Sequence, residues 1–398
     1  MPFLLSLVAS PLFRGAEVPP SPRGGRISIL DGLRGFLALG VFFHHAAVYH
    51  EYLSDGRWQV PPSRFYTLVG QSSVAMFFMI TGFLFWSRII QQKEGTDWLR
   101  LCIGRAFRIG PLYLFAAISA LIIVFAKVGF IRNIPRSEFV NELFHWLSLG
   151  FLNLTPVNGY VDAPKVLAGV TWTLQYEWLF YLSLPALAFA ACRPKFHLAF
   201  ATGALVLSLV YLAIHPGTDP GILDRPACVP FFVIGMTCGS LVHDGMVTPT
   251  SNPLASVIAG ALIFVVFFSF HTVYTFWPVV LLGGAFYLIA AGCSFFGLFT
   301  SRSARRLGGV SYGIYLLQGV VFAMAFRTDQ IRDLALRSPL GHWLVVVICA
   351  TLLVMIAALS HIVIERPGIK IGRLLSNAFE KRRTNTPSKP QTRDIAAG

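Results

Sequence analysis

The sequence predicts an all-α polytopic membrane protein with about ten transmembrane helices around a polar cavity. Of its 398 residues, 55% are hydrophobic and only 13% are charged, whereas about a quarter of the residues in soluble domains are charged. The mean hydropathy is +0.65. Apolar runs of nearly twenty residues recur along the chain, as membrane helices require, while a β-barrel would show short alternating segments.

The first predicted span covers about residues 31–49, and the arginines before it place the N-terminus in the cytoplasm. Residues 1–28 are therefore predicted to form a cytoplasmic N-terminal segment. The apolar stretch 138–151 is too short to cross and is predicted to be interfacial or re-entrant. The other predicted spans are 68–88, 105–124, 172–191, 197–214, 228–243, 254–270, 275–298, 309–327 and 342–363.

The distribution of basic residues supports this count. If 138–151 does not cross, three later basic groups all face the cytoplasm, whereas a crossing would put all three outside. These groups lie at 193–195, at 302–306 and in the tail. Both termini are thus predicted to be cytoplasmic, with a transmembrane domain at 29–368 and a basic, disordered tail at 369–398. The net charge of +14 is explained by cytoplasmic loops, and no nucleic-acid partner is expected.

Two ionisable residues mark the first span. Arg34 and His45 are eleven residues apart, so they share one side of the helix and lie about 16 Å apart along its axis. An ionisable side chain inside a bilayer costs several kcal/mol, so it is expected to face a partner or a water-filled cavity. The six cysteines are scattered without a C-x-x-C spacing, so neither a metal site nor a disulfide framework is expected.

The depths of the polar residues predict two layers. His45 and Glu177 are each expected about 6–7 Å below the outer surface, while Arg34, Arg105 and Arg108 are expected within about a turn of the cytoplasmic ends of their spans. An imidazole beside a carboxylate is typical of a general base, and arginines suit a ligand that carries phosphates. The pattern favours a cytoplasmic donor and chemistry on an acceptor nearer the outside.

Simpler explanations remain open from spacing alone. His45 is equally compatible with a packed core histidine, and His44 points about 100° away, where it is expected to have a structural role. Arg105 and Arg108 are equally compatible with topological anchors. His361 and Glu365 are spaced to pair with each other. A transporter or flippase of a lipid-linked glycan or small anion would also bury such residues.

Six blocks of sequence occur in a fixed order over about residues 29–367. They are DGLRG at 31–35 followed by His45, FFMITGFL at 77–84, RAFRIGPLY at 105–113, WTLQYEWLFY at 172–181, GVSYGIYL at 309–316 and IERP at 364–367. In order and spacing they resemble the motifs of the membrane acyltransferase 3 family. Its members transfer acyl groups, commonly acetyl from acetyl-CoA, to sugars of surface polysaccharides and related acceptors.

The resemblance implies that His45, rather than His44, is the essential catalytic histidine and that the arginines contact acyl-CoA. Gln318 stands where many relatives have a histidine, which argues against a proton relay there. The hypothesis is a bacterial inner-membrane O-acyltransferase that uses acetyl-CoA or another acyl-CoA and no metal. Its acceptor would be a cell-envelope or exported glycan, or a lipid-linked sugar, or alternatively a small secreted metabolite. Polysaccharide biosynthesis proteins are candidate partners.

The predicted site has two parts. The catalytic group would comprise a base or acyl-carrying nucleophile, a carboxylate that orients it and a tyrosine one turn further on, which are His45, Glu177 and Tyr181. The donor-binding group would comprise Arg34, Arg105 and Arg108.

Overall fold

The computed structural model describes residues 2–10, 13, 25–92, 95–194, 196–215, 225–247 and 252–384. Within these ranges the regular structure is helical and contains no β-strand, so the all-α prediction is confirmed. The α-helices are α1 (Pro2–Ala9), α2 (Gly25–Asp55), α3 (Arg64–Gln92), α4 (Trp98–Val128), α5 (Arg136–Leu147), α6 (Trp172–Ala191), α7 (Phe196–Ile214), α8 (Val229–His243), α9 (Pro253–Ser269), α10 (Phe276–Ala290), α11 (Arg302–Gly309), α12 (Ser311–Ala325), α13 (Asp329–Arg337), α14 (Pro339–Ser360) and α15 (Arg366–Thr384).

Apolar helices of membrane-spanning length make this a membrane protein. By length and composition, four helical stretches of the described chain are able to cross a bilayer, namely α3, α4, α7 and the continuous stretch Pro339–Lys381. The pair α11 and α12 adds a fifth if its two helices, bent by 64°, count as one broken span. The ten-span count stays a prediction, because α8, α9 and α10 have only 15 to 17 residues and a straight span needs about 20.

The two helices that carry the predicted arginines begin earlier than the hydropathy predicts. α2 begins at Gly25 rather than at 31, and α4 begins at Trp98 rather than at 105. The start of α4 is set by Asp97, whose carboxylate accepts a hydrogen bond from the Arg100 N–H as an N-cap. The arginines of both helices therefore lie two to three turns inside them, while their distance from the ends of the membrane spans stays a prediction.

The C-terminal tail is helical as far as Thr384, so the disorder predicted from residue 369 is wrong for this part. A π-helical turn at His361–Glu365 joins α14 to α15. α15 packs on α4 through small residues: a Cβ added to Gly368 would lie 2.9 Å from the carbonyl oxygen of Phe107. Residues 385–398 lie outside the described residues.

The predicted span 309–327 corresponds to α12, and the basic stretch before it forms a separate helix, α11, which meets α12 at Val310. α11 carries a buried arginine, Arg306, whose Nη1 donates to the carbonyl oxygens of Val8, Ala9 and Ser10 at 2.9–3.1 Å. These carbonyls end α1, and a helix C-terminus leaves such oxygens without partners of its own. Arg306 thus fixes α1 against α11.

Close backbone contacts hold the helices that carry the site. A Cβ on Gly308 of α11 would lie 1.7 Å from the Asp31 carbonyl oxygen of α2, and one on Gly235 of α8 would lie 2.1 Å from the Met79 carbonyl oxygen of α3. Small residues allow this approach, which is the usual basis of helix packing in membranes. The positions of α2 and α3 therefore depend on residues without side chains.

The α3–α8 contact yields the first prediction. Gly235→Ala is expected to lower the unfolding temperature in detergent by several degrees, because the two backbones must separate and overpacking costs about 1–3 kcal/mol. The matched control is Gly203→Ala in α7, where an added Cβ meets nothing within 4 Å. Alanine there should leave stability unchanged or raise it by up to about 1 kcal/mol. Equal melting temperatures for the two variants would contradict the packing argument.

Candidate active site

The segment between α5 and α6, residues 148–171, is folded into the helix bundle. Its members Val157, Leu167 and Val170 are buried. Tyr315 of α12 donates a hydrogen bond to the Val170 carbonyl oxygen at 3.0 Å, and Trp178 of α6 donates to that of Leu149 at 2.9 Å. α6 therefore begins inside the bundle.

A cavity lined by arginines, here called the arginine cavity, opens between α2, α3 and α4. The part lined by Asp31, Arg88 and His361, called the outer part, has a volume of about 270 Å³. The part lined by Glu177 and Tyr315, called the inner part, has a volume of about 90 Å³. Both parts are lined by the same three arginines, Arg34, Arg105 and Arg108, so the two lie next to each other. The prediction that α2 and α4 bring these three arginines together agrees with the structure.

The π turn brings a second charged group to this cavity. Glu365 is fully buried, with one carboxylate oxygen 3.6 Å from Nη1 of Arg108 and the other 3.0 Å from Nδ1 of His361. His361 lines the outer part of the cavity. π turns are frequent at functional sites, because they shift side chains out of the regular helical register. The sequence spacing predicted only the pairing of His361 with Glu365.

Glu177 lies with the arginines and not beside His45. It lines the inner part of the cavity with Tyr181, whose hydroxyl donates to its carboxylate at 2.9 Å. Its carboxyl group interacts electrostatically with three cations, Arg34, Arg105 and Arg108. The predicted common depth of Glu177 and His45 is therefore wrong, because the estimate placed the start of α6 at the outer surface.

His45 occupies a separate environment and lines neither part of the arginine cavity. Its Nδ1 lies 3.0 Å from the Val41 carbonyl oxygen, one turn back on α2. A carbonyl only accepts, so Nδ1 carries the proton and Nε2 has the lone pair of the neutral ring. The ring packs near Trp58, with centroids 6.5 Å apart.

His44, in contrast, faces α3. Its Nδ1 is 3.0 Å from the Tyr66 carbonyl oxygen, and its ring covers the space beside Gly70. This placement agrees with the structural role expected for His44.

A short chain of contacts joins the arginine cavity to His45. Tyr315 and Thr173 line the cavity, and their hydroxyls lie 2.8 Å apart. One turn along α12, Gln318 donates from Nε2 to the Tyr315 carbonyl oxygen at 2.7 Å. The Gln318 side chain also lies within interaction distance of the His45 ring. Its Oε1 makes no hydrogen bond of good geometry within the described residues. Gln318 therefore lies between the cavity and His45.

Aromatic and charged residues surround His45 on the side away from the cavity. Trp58 contacts both Tyr49 and Tyr52, with ring centroids 5.2 and 5.5 Å apart. The Tyr52 hydroxyl donates to Asp162 at 2.8 Å, and Lys165 pairs with the same carboxylate. Burial raises the pKa of Asp162, but hydrogen bonds from Lys165 and Tyr52 lower it below its usual value. This group is called the aromatic cluster.

Comparison with known proteins identifies the family of this chain. A family model described as an acyltransferase domain matches residues 27–359. The chain belongs to this acyltransferase family. The resemblance carried by the six sequence blocks is thus confirmed, and the family's activity is acyl transfer. No solved structure matches the chain significantly.

Three curated relatives show how far the similarity extends. The exopolysaccharide production protein ExoZ of Rhizobium meliloti (strain 1021) is 30% identical over 77% of this chain and 91% of its own length. Nodulation protein 10 of Rhizobium leguminosarum bv. viciae is 26% identical over 87% and 94%. The acyltransferase MdmB of Streptomyces mycarofaciens is 31% identical over a shorter part, 41% of this chain and 40% of its own.

Sequence reasoning missed several members of the site. Thr173 and Tyr315 lie in two of the six sequence blocks, but the sequence assigned them no function. Trp58 and Asp162 lie in loops without a recognisable motif. The available signal was aromatic density: Tyr49, Tyr52 and Trp58 follow His45 within fourteen residues. Only the folded chain brings Asp162 to them.

The ion pair between half-buried Arg108 and fully buried Glu365 gives the second prediction. Arg108→Ala is expected to lower the unfolding temperature, because the Glu365 carboxylate stays fully buried without its arginine partner and breaking such a pair costs up to about 3–5 kcal/mol. Adding Glu365→Gln should restore part of the loss, because the neutral amide needs no counter-charge. Thermal unfolding of both single variants and the double variant measures this coupling. Additive losses would show that the two residues stabilise the fold independently.

Proposed function

We propose that this protein transfers an acyl group, acetyl in the simplest case, from acyl-CoA to a hydroxyl of an exported or cell-envelope glycan. The setting is the bacterial inner membrane, with both termini in the cytoplasm. The observation that carries the proposal is the cavity of three arginines connected through Tyr315 and Gln318 to His45. A relative whose name refers to exopolysaccharide production supports an extracellular glycan acceptor.

The arginine cavity is the proposed donor site. Arginine binds phosphate oxygens through its planar fork of N–H groups, and CoA presents three phosphates at one end and its thioester at the other. Arg34, Arg105 and Arg108 would bind the phosphates. The rise of α2 puts Arg34 and His45 about 16 Å apart, a distance that an extended pantetheine arm spans. The thioester would then pass Thr173 and Tyr315 to reach the imidazole.

His45 is the proposed catalytic residue. Its Nε2 lone pair removes the proton of the acceptor hydroxyl as that oxygen attacks the thioester carbonyl. Collapse of the tetrahedral intermediate breaks the C–S bond, and the imidazolium returns the proton to the CoA thiolate. Alternatively, Nε2 attacks the thioester carbonyl first and the C–S bond breaks with release of the CoA thiolate. The acceptor hydroxyl then displaces the imidazole from the acyl group, and its proton passes to the thiolate. In the first route, Oε1 of Gln318 would accept a hydrogen bond from the newly formed Nε2–H group.

Glu177 and Tyr181 have a different proposed role from the one expected from the sequence. Both line the inner part of the arginine cavity, so we assign them to the donor and not to the imidazole. The Glu177 carboxylate offsets part of the charge of the three arginines when no donor is bound. Tyr181 holds that carboxylate at 2.9 Å and lies 6.0 Å from the Arg105 guanidinium.

The aromatic cluster is the proposed acceptor side. Sugar rings stack on indole and phenol faces through their C–H groups, and carboxylates accept hydrogen bonds from sugar hydroxyls. Trp58, next to the His45 ring, offers an indole face, and Asp162, hydrogen-bonded to Tyr52 in the same cluster, offers a carboxylate. The lining therefore fits a glycan hydroxyl better than an apolar acceptor.

The third prediction concerns His45. His45→Ala is expected to reduce acylation of surface glycans by about 10²–10⁴-fold, which is the usual contribution of a general base. The measurement is mass spectrometry of glycans from a gene-deleted strain that expresses each variant. The matched control is His44→Gln, whose amide can still donate to the Tyr66 carbonyl oxygen, and it should retain activity.

The same variants distinguish the enzyme from a transporter. Purified wild-type protein in nanodiscs should release CoA thiol from acetyl-CoA when envelope glycan is added, whereas a transporter or flippase releases none. Full acylation by His45→Ala protein would refute the assignment of His45 as the catalytic residue.

The fourth prediction separates donor binding from topological anchoring. Arg105→Gln is expected to raise KM for acetyl-CoA by about 10–100-fold, because hydrogen bonds between charged groups contribute about 1.5–3 kcal/mol. kcat should change much less. The control is Arg193→Gln, since Arg193 is exposed and stacks on Phe189 outside the arginine cavity. An unchanged KM with reduced membrane insertion would favour the anchor role.

A further inference from the structure

A second polar cluster lies outside the arginine cavity, where α7 meets the end of α8. It consists of His197 at the start of α7, His243 at the end of α8, and Asp244, the C-cap residue of α8. None of the three lines the arginine cavity. The proposed reaction uses none of them.

The cluster has the dimensions of a metal site. One ligand atom from each of the three residues lies within 4.8 Å of the other two. The distance between Nε2 of His197 and Oδ1 of Asp244 is 3.4 Å. In a tetrahedral zinc site with bonds of about 2.0–2.1 Å, ligand atoms are about 3.4 Å apart, so these two atoms already have the required separation.

Buried residues hold His197 in this orientation. The Trp86 indole N–H donates to Oγ of Ser240 at 2.8 Å, and the same Oγ lies 3.1 Å from Nδ1 of His197. Trp86 and Ser240 are completely buried, and His197 is 3% exposed. Metal-binding histidines are typically oriented by a hydrogen bond at their other ring nitrogen. A histidine fixed this way differs from a mobile surface side chain.

The surroundings of α7 give a metal ion a structural task. Within this helix only His197, Ala201 and Leu212 are fully buried, so most of its side chains lie on the outside of the bundle. His197 comes from α7, while His243 and Asp244 come from the end of α8. An ion bound by all three would join the two helices.

We propose that His197, His243 and Asp244 bind a divalent transition-metal ion of the zinc class, with water as the fourth ligand, and thereby link α7 to α8. Two imidazoles and one carboxylate form a ligand set that suits zinc. The role is structural and is independent of the proposed acyl transfer.

The test uses the full-length chain without a histidine tag, purified in detergent and treated with a chelator. Titration with Zn²⁺ should show one ion bound per chain with a Kd of micromolar or below, and the bound ion should raise the unfolding temperature by several degrees. Co²⁺ in its place should give the intense visible bands of tetrahedral coordination.

Asp244→Asn and His243→Ala are the test variants, and His271→Ala, which removes an exposed histidine outside the cluster, is the matched control. Because His243 and Asp244 are exposed, both test variants should unfold at the temperature of the metal-free wild type. Each should weaken Zn²⁺ binding at least tenfold and lose the Co²⁺ bands, whereas the control should keep both. Absence of stoichiometric binding by the wild type, or unchanged binding by both test variants, would overturn the proposal.

Discussion

Compensation of buried charge is the constraint on which the arginine cavity depends. A lone ion in a low-dielectric interior is costly, so it must be paired or hydrated. Glu365 is completely buried and has both a guanidinium and an imidazole as neighbours, and the π turn of His361–Glu365 presents that carboxylate to α4. Glu177 provides a second carboxylate on the other side of the same arginines. The cavity therefore keeps its cations in place while leaving them able to accept an anionic ligand.

Close helix packing is the second requirement. α2 carries both Arg34 and His45, and its position against α11 is set by backbone contact at Gly308. The π turn reaches Arg108 because α15 lies close to α4 at Gly368. In a bilayer, lipid tails compete with apolar side chains, so contact between backbones and small residues supplies much of the association. The residues that hold the site in place are thus largely glycines.

The inserted segment 148–171 explains how the arginine cavity and His45 are connected although they are separate environments. Its buried residues pack between α4 and α12, and its Val170 carbonyl oxygen accepts from Tyr315. This contact places Tyr315 at the inner part of the cavity and Gln318, one turn further, beside His45. The two environments are therefore separate but are joined through one turn of α12.

The sequence alone determined the helical class, the membrane setting and the family, because these depend on composition, hydropathy and ordered motifs. It also predicted that Arg34, Arg105 and Arg108 lie close together, since each lies near the same end of its helix. Only the tertiary structure decided the place of Glu177, because its depth depends on where α6 begins, and α6 begins inside the bundle. The same holds for the helical tail and for Asp162, whose positions follow from packing between distant segments. Hydropathy reports how each stretch partitions into lipid, while the neighbours of a polar side chain are set by contacts between helices.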